Sequence, residues 1–204
     1  MRILGVDPGL DATGYGVIET DNGHGPRLVE AGLIRTKPSE PLPRRLAVIA
    51  RQLREILLQH QPDLMAVEDL YSHYKTPKPA ILMGHVRGVV LGTAALSDIP
   101  VVSYMPTRIK RGVVGRGHAS KRQVARLVRM RLRLAEGESV PADVTDALAA
   151  ALCYADQIRA VTHSHPNFAS QRHPNPKRPA PRVPSASPLP MLLRRRMATA
   201  RSAP

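Results

Sequence analysis

With 204 residues the chain has room for one domain with a full core, and a second would be cramped. Its 30 Lys and Arg against 16 Asp and Glu give a formal net charge of +14, which favours a polyanionic partner: DNA, RNA or an anionic membrane surface. A lone cysteine excludes an internal disulfide, the amino terminus reaches Asp7 before any long apolar stretch, and no run of roughly eighteen apolar residues offers a bilayer span. The expectation is a cytoplasmic protein in a reducing compartment, with no membrane contact.

Arg2 to Val6 reads as a short apolar strand that stops at Asp7-Pro8-Gly9. Strands at Thr13–Glu19 and Arg27–Arg35 follow, separated by the turn-forming run Asp21-Asn22-Gly23-His24-Gly25-Pro26, so three consecutive antiparallel strands are the natural reading. Leu46, Ile49, Leu53, Ile56 and Leu57 recur at helical spacing within Leu42–His60, with arginines between them, and Pro62 ends that amphipathic helix. Leu64–Glu68 is a fourth strand, Ala80–Leu96 a helix despite its glycines, and Val101–Tyr104 a fifth strand. Ser120 and Gln123 match a capping box that opens a basic helix through about Leu134. Pro141 stands where a last helix begins, Ala147–Tyr154 continue it, and Cys153 fits its buried side as a small core residue.

This order gives an α/β architecture, a five-stranded mixed sheet flanked by helices, over residues 1–162. From 163 to 204 there are nine prolines, eight basic residues and no acid, and no periodicity survives; a basic, Pro-rich disordered tail is expected there.

Four carboxylates stand where a nuclease needs them. Asp7 ends the first strand, Glu68 ends the fourth, and Asp143 and Asp146 are three apart on one face of the last helix. If the first and fourth strands are neighbours, their carboxyl ends bring Asp7 and Glu68 to one edge of the sheet, where ligands bind in open α/β folds. Clustered carboxylates repel, and a divalent cation resolves the conflict. Oxygen-only ligands favour Mg²⁺, with Mn²⁺ as a substitute, and the expectation is two ions per site, about 3.5–4 Å apart, supporting in-line phosphodiester hydrolysis. Taken singly, each acid has a structural explanation: Asp143 gains from the helix macrodipole, and Asp7 before Pro8-Gly9 can simply form a turn. Asp69 should point to the face of its strand opposite Glu68 and is excluded as a ligand.

Between Arg108 and Arg133 lie ten Lys or Arg and no acid, a density that a solvated helix face does not account for. Lys110, Arg111, Arg116 and Arg122 are its candidate DNA contacts, and Gly115 and Gly117 permit close approach of the backbone to a phosphate.

Several blocks resemble the RuvC resolvases, whose fold is ribonuclease H-like. They are Gly5-Val6-Asp7-Pro8-Gly9-Leu10 with Thr13-Gly14-Tyr15-Gly16-Val17; Ala66-Val67-Glu68; Gly84 with Arg87-Gly88; Ile109-Lys110; Val113-Val114-Gly115-Arg116-Gly117; Lys121 with Gln123-Val124; and Asp143-Val144-Thr145-Asp146-Ala147-Leu148-Ala149. The resemblance implies a homodimeric, magnesium-dependent endonuclease of recombination and repair that resolves four-way DNA junctions by two symmetric nicks, alongside a branch-migration complex. It implies Asp7, Glu68, Asp143 and Asp146 as metal ligands, Lys121 near the scissile phosphate, Lys110 on the backbone, and Tyr71 near the junction centre, where rings stack on exposed bases. The chain departs from the family at Ser72-His73-Tyr74-Lys75-Thr76-Pro77-Lys78-Pro79, so Tyr74 and Lys75 are further candidate contacts. Alternative readings are a related nuclease acting on other branched DNA or RNA, a noncatalytic binding module, and an ATP-dependent phosphotransferase of the actin or sugar-kinase type.

Overall fold

The computed structural model describes residues 1–21, 25–70, 77–135 and 139–164. Five strands, β1 (Arg2–Asp7), β2 (Ala12–Glu19), β3 (Arg27–Arg35), β4 (Leu64–Glu68) and β5 (Val101–Tyr104), form one sheet in the order β3-β2-β1-β4-β5. β1, β2 and β3 run antiparallel, whereas β4 lies parallel to β1 and β5 parallel to β4. The expected mixed sheet is present, within a residue of the expected bounds.

Alternation along the strands divides the core in two. Leu4, Val6, Met65 and Val67 face α1 (Leu42–His60) and α2 (Pro77–Ala95), packing with Ile49, Leu53, Ile56, Val86 and Val90. Ile3, Ile18 and Ala66 face the other way, onto α3 (Pro106–Val114), α4 (Lys121–Leu132) and α5 (Ala142–Ser164). Cys153 is buried in this second cluster, as expected of a core residue. Among the described residues no helix is long and apolar enough to cross a membrane.

α3 is the element the sequence reading left out. It is short and basic, with Pro106 in its first turn and only Ile109 and Val113 buried, one turn apart. Gly115 closes it in the left-handed region (φ 81°), its N–H bonding the Arg111 carbonyl. α2 also begins earlier than expected, at Pro77. α4 has the full capping box: Ser120 accepts from the Gln123 N–H, and the Gln123 side chain accepts from the Ser120 N–H at 2.9 Å.

Two glycines decide how α5 meets the sheet. A Cβ on Gly5 would stand 1.9 Å from the Ala147 carbonyl oxygen, and one on Gly14 would stand 2.0 Å from that of Asp143. Only a bare backbone at these positions lets α5 lie so close, and this contact delivers the first turns of α5 to the end of β1.

Candidate active site

Asp7 lies opposite Gly14 in the β1–β2 ladder, and Val6 lies beside Val67 in the parallel β1–β4 ladder. The two parallel strands therefore end together, with Asp7 and Glu68 adjacent on the face that α5 covers. Asp146, one turn into α5, completes the group: one carboxylate oxygen from each of Asp7, Glu68 and Asp146 lies within 4.8 Å of the other two. Asp143 is not part of this close triad, although its charge still reaches Asp7. It stands one helical turn before Asp146, at the rim of the site, and is half-buried.

Burial and repulsion act on the two strand acids. Removal from water, then the charges of Asp146 and Asp143, push the Asp7 carboxyl up to about 7, and Lys121 opposes the rise. Removal from water, then Asp7 and Asp146, likewise push Glu68 up to about 7 against Lys121 and Lys110. Near neutral pH these groups hold protons unless a cation takes their place. Three convergent, half-buried carboxylates with oxygen donors alone fit a hard divalent ion, and at 4.8 Å or less the oxygens are near enough to share one.

Lys121 opens α4 directly behind the capping box, and its Nζ donates to Asp146 Oδ2 at 3.3 Å. The ion pair raises the Lys121 ammonium above its ordinary value, and the side chain remains 76% exposed, so the charge can reach an incoming phosphate. Lys110 on α3 is close enough to favour the Glu68 carboxylate. Arg111, Arg116 and Arg122 are exposed along α3, the following turn and the start of α4. Gly115 has a local reason for its identity in the cap of α3, whereas an added Cβ on Gly117 would make only ordinary contact, 3.5 Å from the Thr107 carbonyl. Tyr71, Tyr74 and Lys75 lie outside the described residues, as does the tail beyond Ser164.

Sequence reasoning missed the side chains that fix the turn after Asp7. Thr13, fully buried, donates to the Gly9 carbonyl at 2.7 Å. Arg45, read as a solvent-facing arginine of α1, is instead buried, paired with Asp11 and donating to Thr36 Oγ1 at 2.8 Å. Thr36 in turn donates to the Leu10 carbonyl at 2.7 Å. No local signal distinguishes Arg45 from Arg44, because its burial depends on a turn 34 residues earlier.

The sequence profile described as "Crossover junction endodeoxyribonuclease RuvC" matches residues 3–154. The chain belongs to the RuvC family. A RuvC of Rhodopirellula baltica is 49% identical over 153 residues, covering 74% of this chain and 84% of the relative. Among solved structures, Thermus thermophilus RuvC in complex with Holliday junction substrate superposes with a TM-score of 0.73 at 34% identity, over 79% of this chain and 97% of that one. The yeast mitochondrial Holliday junction resolvase shares the fold alone, with a TM-score of 0.61 at 14% identity, over 83% of each chain. Membership in the RuvC family sets aside the phosphotransferase reading. The site described above lies wholly inside the matched span.

Proposed function

We propose that this chain is a Mg²⁺-dependent resolvase acting in the cytoplasm, where a homodimer cuts four-way DNA junctions by paired symmetric nicks and works with a branch-migration partner. The observation that carries the reading is the convergence of the Asp7, Glu68 and Asp146 carboxylates beside Lys121.

In this reading Asp7, Glu68 and Asp146 would hold the metal, and Asp143 at the rim would be the further ligand for a second ion. When bound, a divalent ion would supply Lewis acidity toward water and charge neutralisation at the phosphate. Asp7 and Glu68 would give up their protons to hold the ion and would orient it from the rigid strand ends. Asp146 would hold the ion from α5 while keeping Lys121 in place. The Lys121 ammonium faces the charge that develops on the phosphate oxygens, a preorganised donor in a partly desolvated site. Lys110, Arg111, Arg116 and Arg122 hold the flanking backbone, Gly115 and Gly117 let it approach, and Tyr71, Tyr74 and Lys75 meet the junction centre.

Two symmetric nicks require two active sites, and the described residues of one chain form one. The second copy is assigned to α2. Gly84, Gly88 and Gly92 form a stripe on its exposed side, where an added Cβ would meet nothing within 4 Å, and Ile81 and Leu96 are 58% and 91% exposed. Such a stripe permits close helix pairing across a two-fold axis.

The reading is tested by cleavage of a synthetic four-way junction beside a duplex of matching sequence, with Mg²⁺ or chelator. The native chain should cut only the junction, only with metal, at symmetric positions in two opposing strands. Equal cutting of duplex would overturn the junction assignment, and undiminished cutting by Asp7→Asn would overturn the ligand assignment.

A further inference from the structure

Arg87, in the Gly84-x-x-Arg87-Gly88 block, has no role in the chemistry described so far, yet it reaches the strand end that carries Glu68. It leaves α2 on the flank between the buried Val86 and Val90 and the exposed glycines. A single guanidinium nitrogen, Nη2, pairs with Asp69 Oδ1 at 3.0 Å and donates to Ser103 Oγ at 2.7 Å. Ser103 pairs with Val67 across the β4–β5 ladder, and Glu68 pairs with Tyr104. Arg87 therefore straddles the carboxyl ends of both strands from the face opposite the metal site.

Asp69 is held at several points. Its N–H donates to the Tyr104 carbonyl at 2.8 Å, its side chain is fixed by Arg87, and Oδ1 also accepts from the Leu70 N–H at 3.0 Å. Glu68 lies immediately before it and points to the other face. Fixing the backbone and side chain of Asp69 fixes the direction in which Glu68 leaves the strand. The guanidinium is mostly buried, and its Nε has no hydrogen-bond partner among the described residues.

We infer that Arg87 is a positioning residue for the metal centre: through Asp69 and Ser103 it holds the end of β4 so that Glu68 meets Asp7 and Asp146 at ligand distance. The inference rests on the reading of these acids as metal ligands. Outer contacts of this kind orient the residues that bind the ion and set its affinity.

The test is Mn²⁺ binding to the full chain without DNA, by calorimetry, for the native protein, Arg87→Met, Asp69→Asn and the double variant. Each single substitution should weaken Mn²⁺ binding by about 10-fold. Because the two residues act through one contact, the double variant should be no weaker than the weaker single. Junction binding in chelator should stay within about twofold of native, since neither residue is assigned to DNA. Arg87→Lys, whose shorter reach can keep the Asp69 pair but not the Ser103 contact as well, should fall between native and Arg87→Met.

If Arg87→Met does not fold, Asp69→Asn and Arg87→Lys carry the same comparison, because both stay close to the native side chain in size and remain polar. Native-like Mn²⁺ affinity in folded variants would overturn the inference, as would effects that multiply in the double variant or a loss confined to junction binding. Failure of the underlying ligand reading looks different: the native chain would bind no Mn²⁺, or Asp7→Asn would bind it as well as native does.

Discussion

Asp7→Asn should stabilise the metal-free protein and destabilise the metal-loaded one, and pH decides the size of the first effect. The Asp7 carboxyl titrates near 7 in the fold against 3.8 ordinarily. A carboxyl raised in this way adds stability below its unfolded value and loses it as pH rises through the folded value. The loss thus accumulates between about pH 4 and pH 7 and is complete at pH 8. The two values lie about three pH units apart, each worth about 1.4 kcal/mol, which sets a ceiling of about 4 kcal/mol at pH 8. At pH 5 only about one unit has been crossed, so the ceiling there is less than half of that at pH 8. Allowing for imperfect accommodation of the amide, the variant should gain about 1–3 kcal/mol at pH 8 and less than half of that at pH 5. For a domain of this size, each kcal/mol moves Tm by about 2–4 °C. Thermal melts at both pH values, in chelator and in millimolar Mg²⁺, read this directly. Metal should raise the native Tm more than the variant's, reversing the order seen in chelator. An Asp7→Asn protein less stable than native in chelator at pH 8, or one with an equal Mg²⁺ response, would refute the electrostatic reasoning.

Gly14→Ala sets a Cβ against the backbone oxygen of Asp143, so α5 must shift; a loss of about 2 kcal/mol or more in urea melts is expected, together with weaker cleavage. Gly16→Ala, whose Cβ would meet the movable end of the Leu148 side chain, should cost distinctly less. Lys121→Met should lower the cleavage rate by roughly 100-fold or more while Mn²⁺ binding changes only a few-fold, a split visible by comparing single-turnover rates with calorimetry. On α4, Arg122 and Arg126 are exposed one turn apart, on a helix that holds no acid. If each meets a phosphate, replacing both with Gln should reduce the slope of log affinity against log salt by about 1.8 for a duplex arm, measured in chelator by fluorescence anisotropy.

The strands and the acids were legible because their signals are local. β1 through β5 carry apolar and β-branched runs closed by Asp, Gly or Pro, Asp7 and Glu68 end their strands, and Asp143 and Asp146 lie in the first turns of α5. Adjacency of Asp7 and Glu68 followed from one assumption, that β1 and β4 are neighbours, and the sheet order supplies it. Other features depend on tertiary contact and left no local trace. Nothing local marks Gly5 and Gly14 as points of close contact until α5 is laid against them. Arg45 reads as solvent-facing until the turn after Asp7 closes over it. α3 escaped because two buried residues one turn apart are too short a pattern to stand out from a basic run. The separation of Asp143 from the close triad was likewise hidden: spacing puts Asp143 and Asp146 on one face of α5 but does not say which of them the sheet meets.

The most direct measurement is anomalous diffraction from crystals of the full chain grown with Mn²⁺. The account predicts a peak bounded by Asp7, Glu68 and Asp146 at about 2.0–2.3 Å from their carboxylate oxygens, absent in Asp7→Asn crystals grown the same way. Manganese bound elsewhere, or retained at that position without the Asp7 carboxylate, would contradict it.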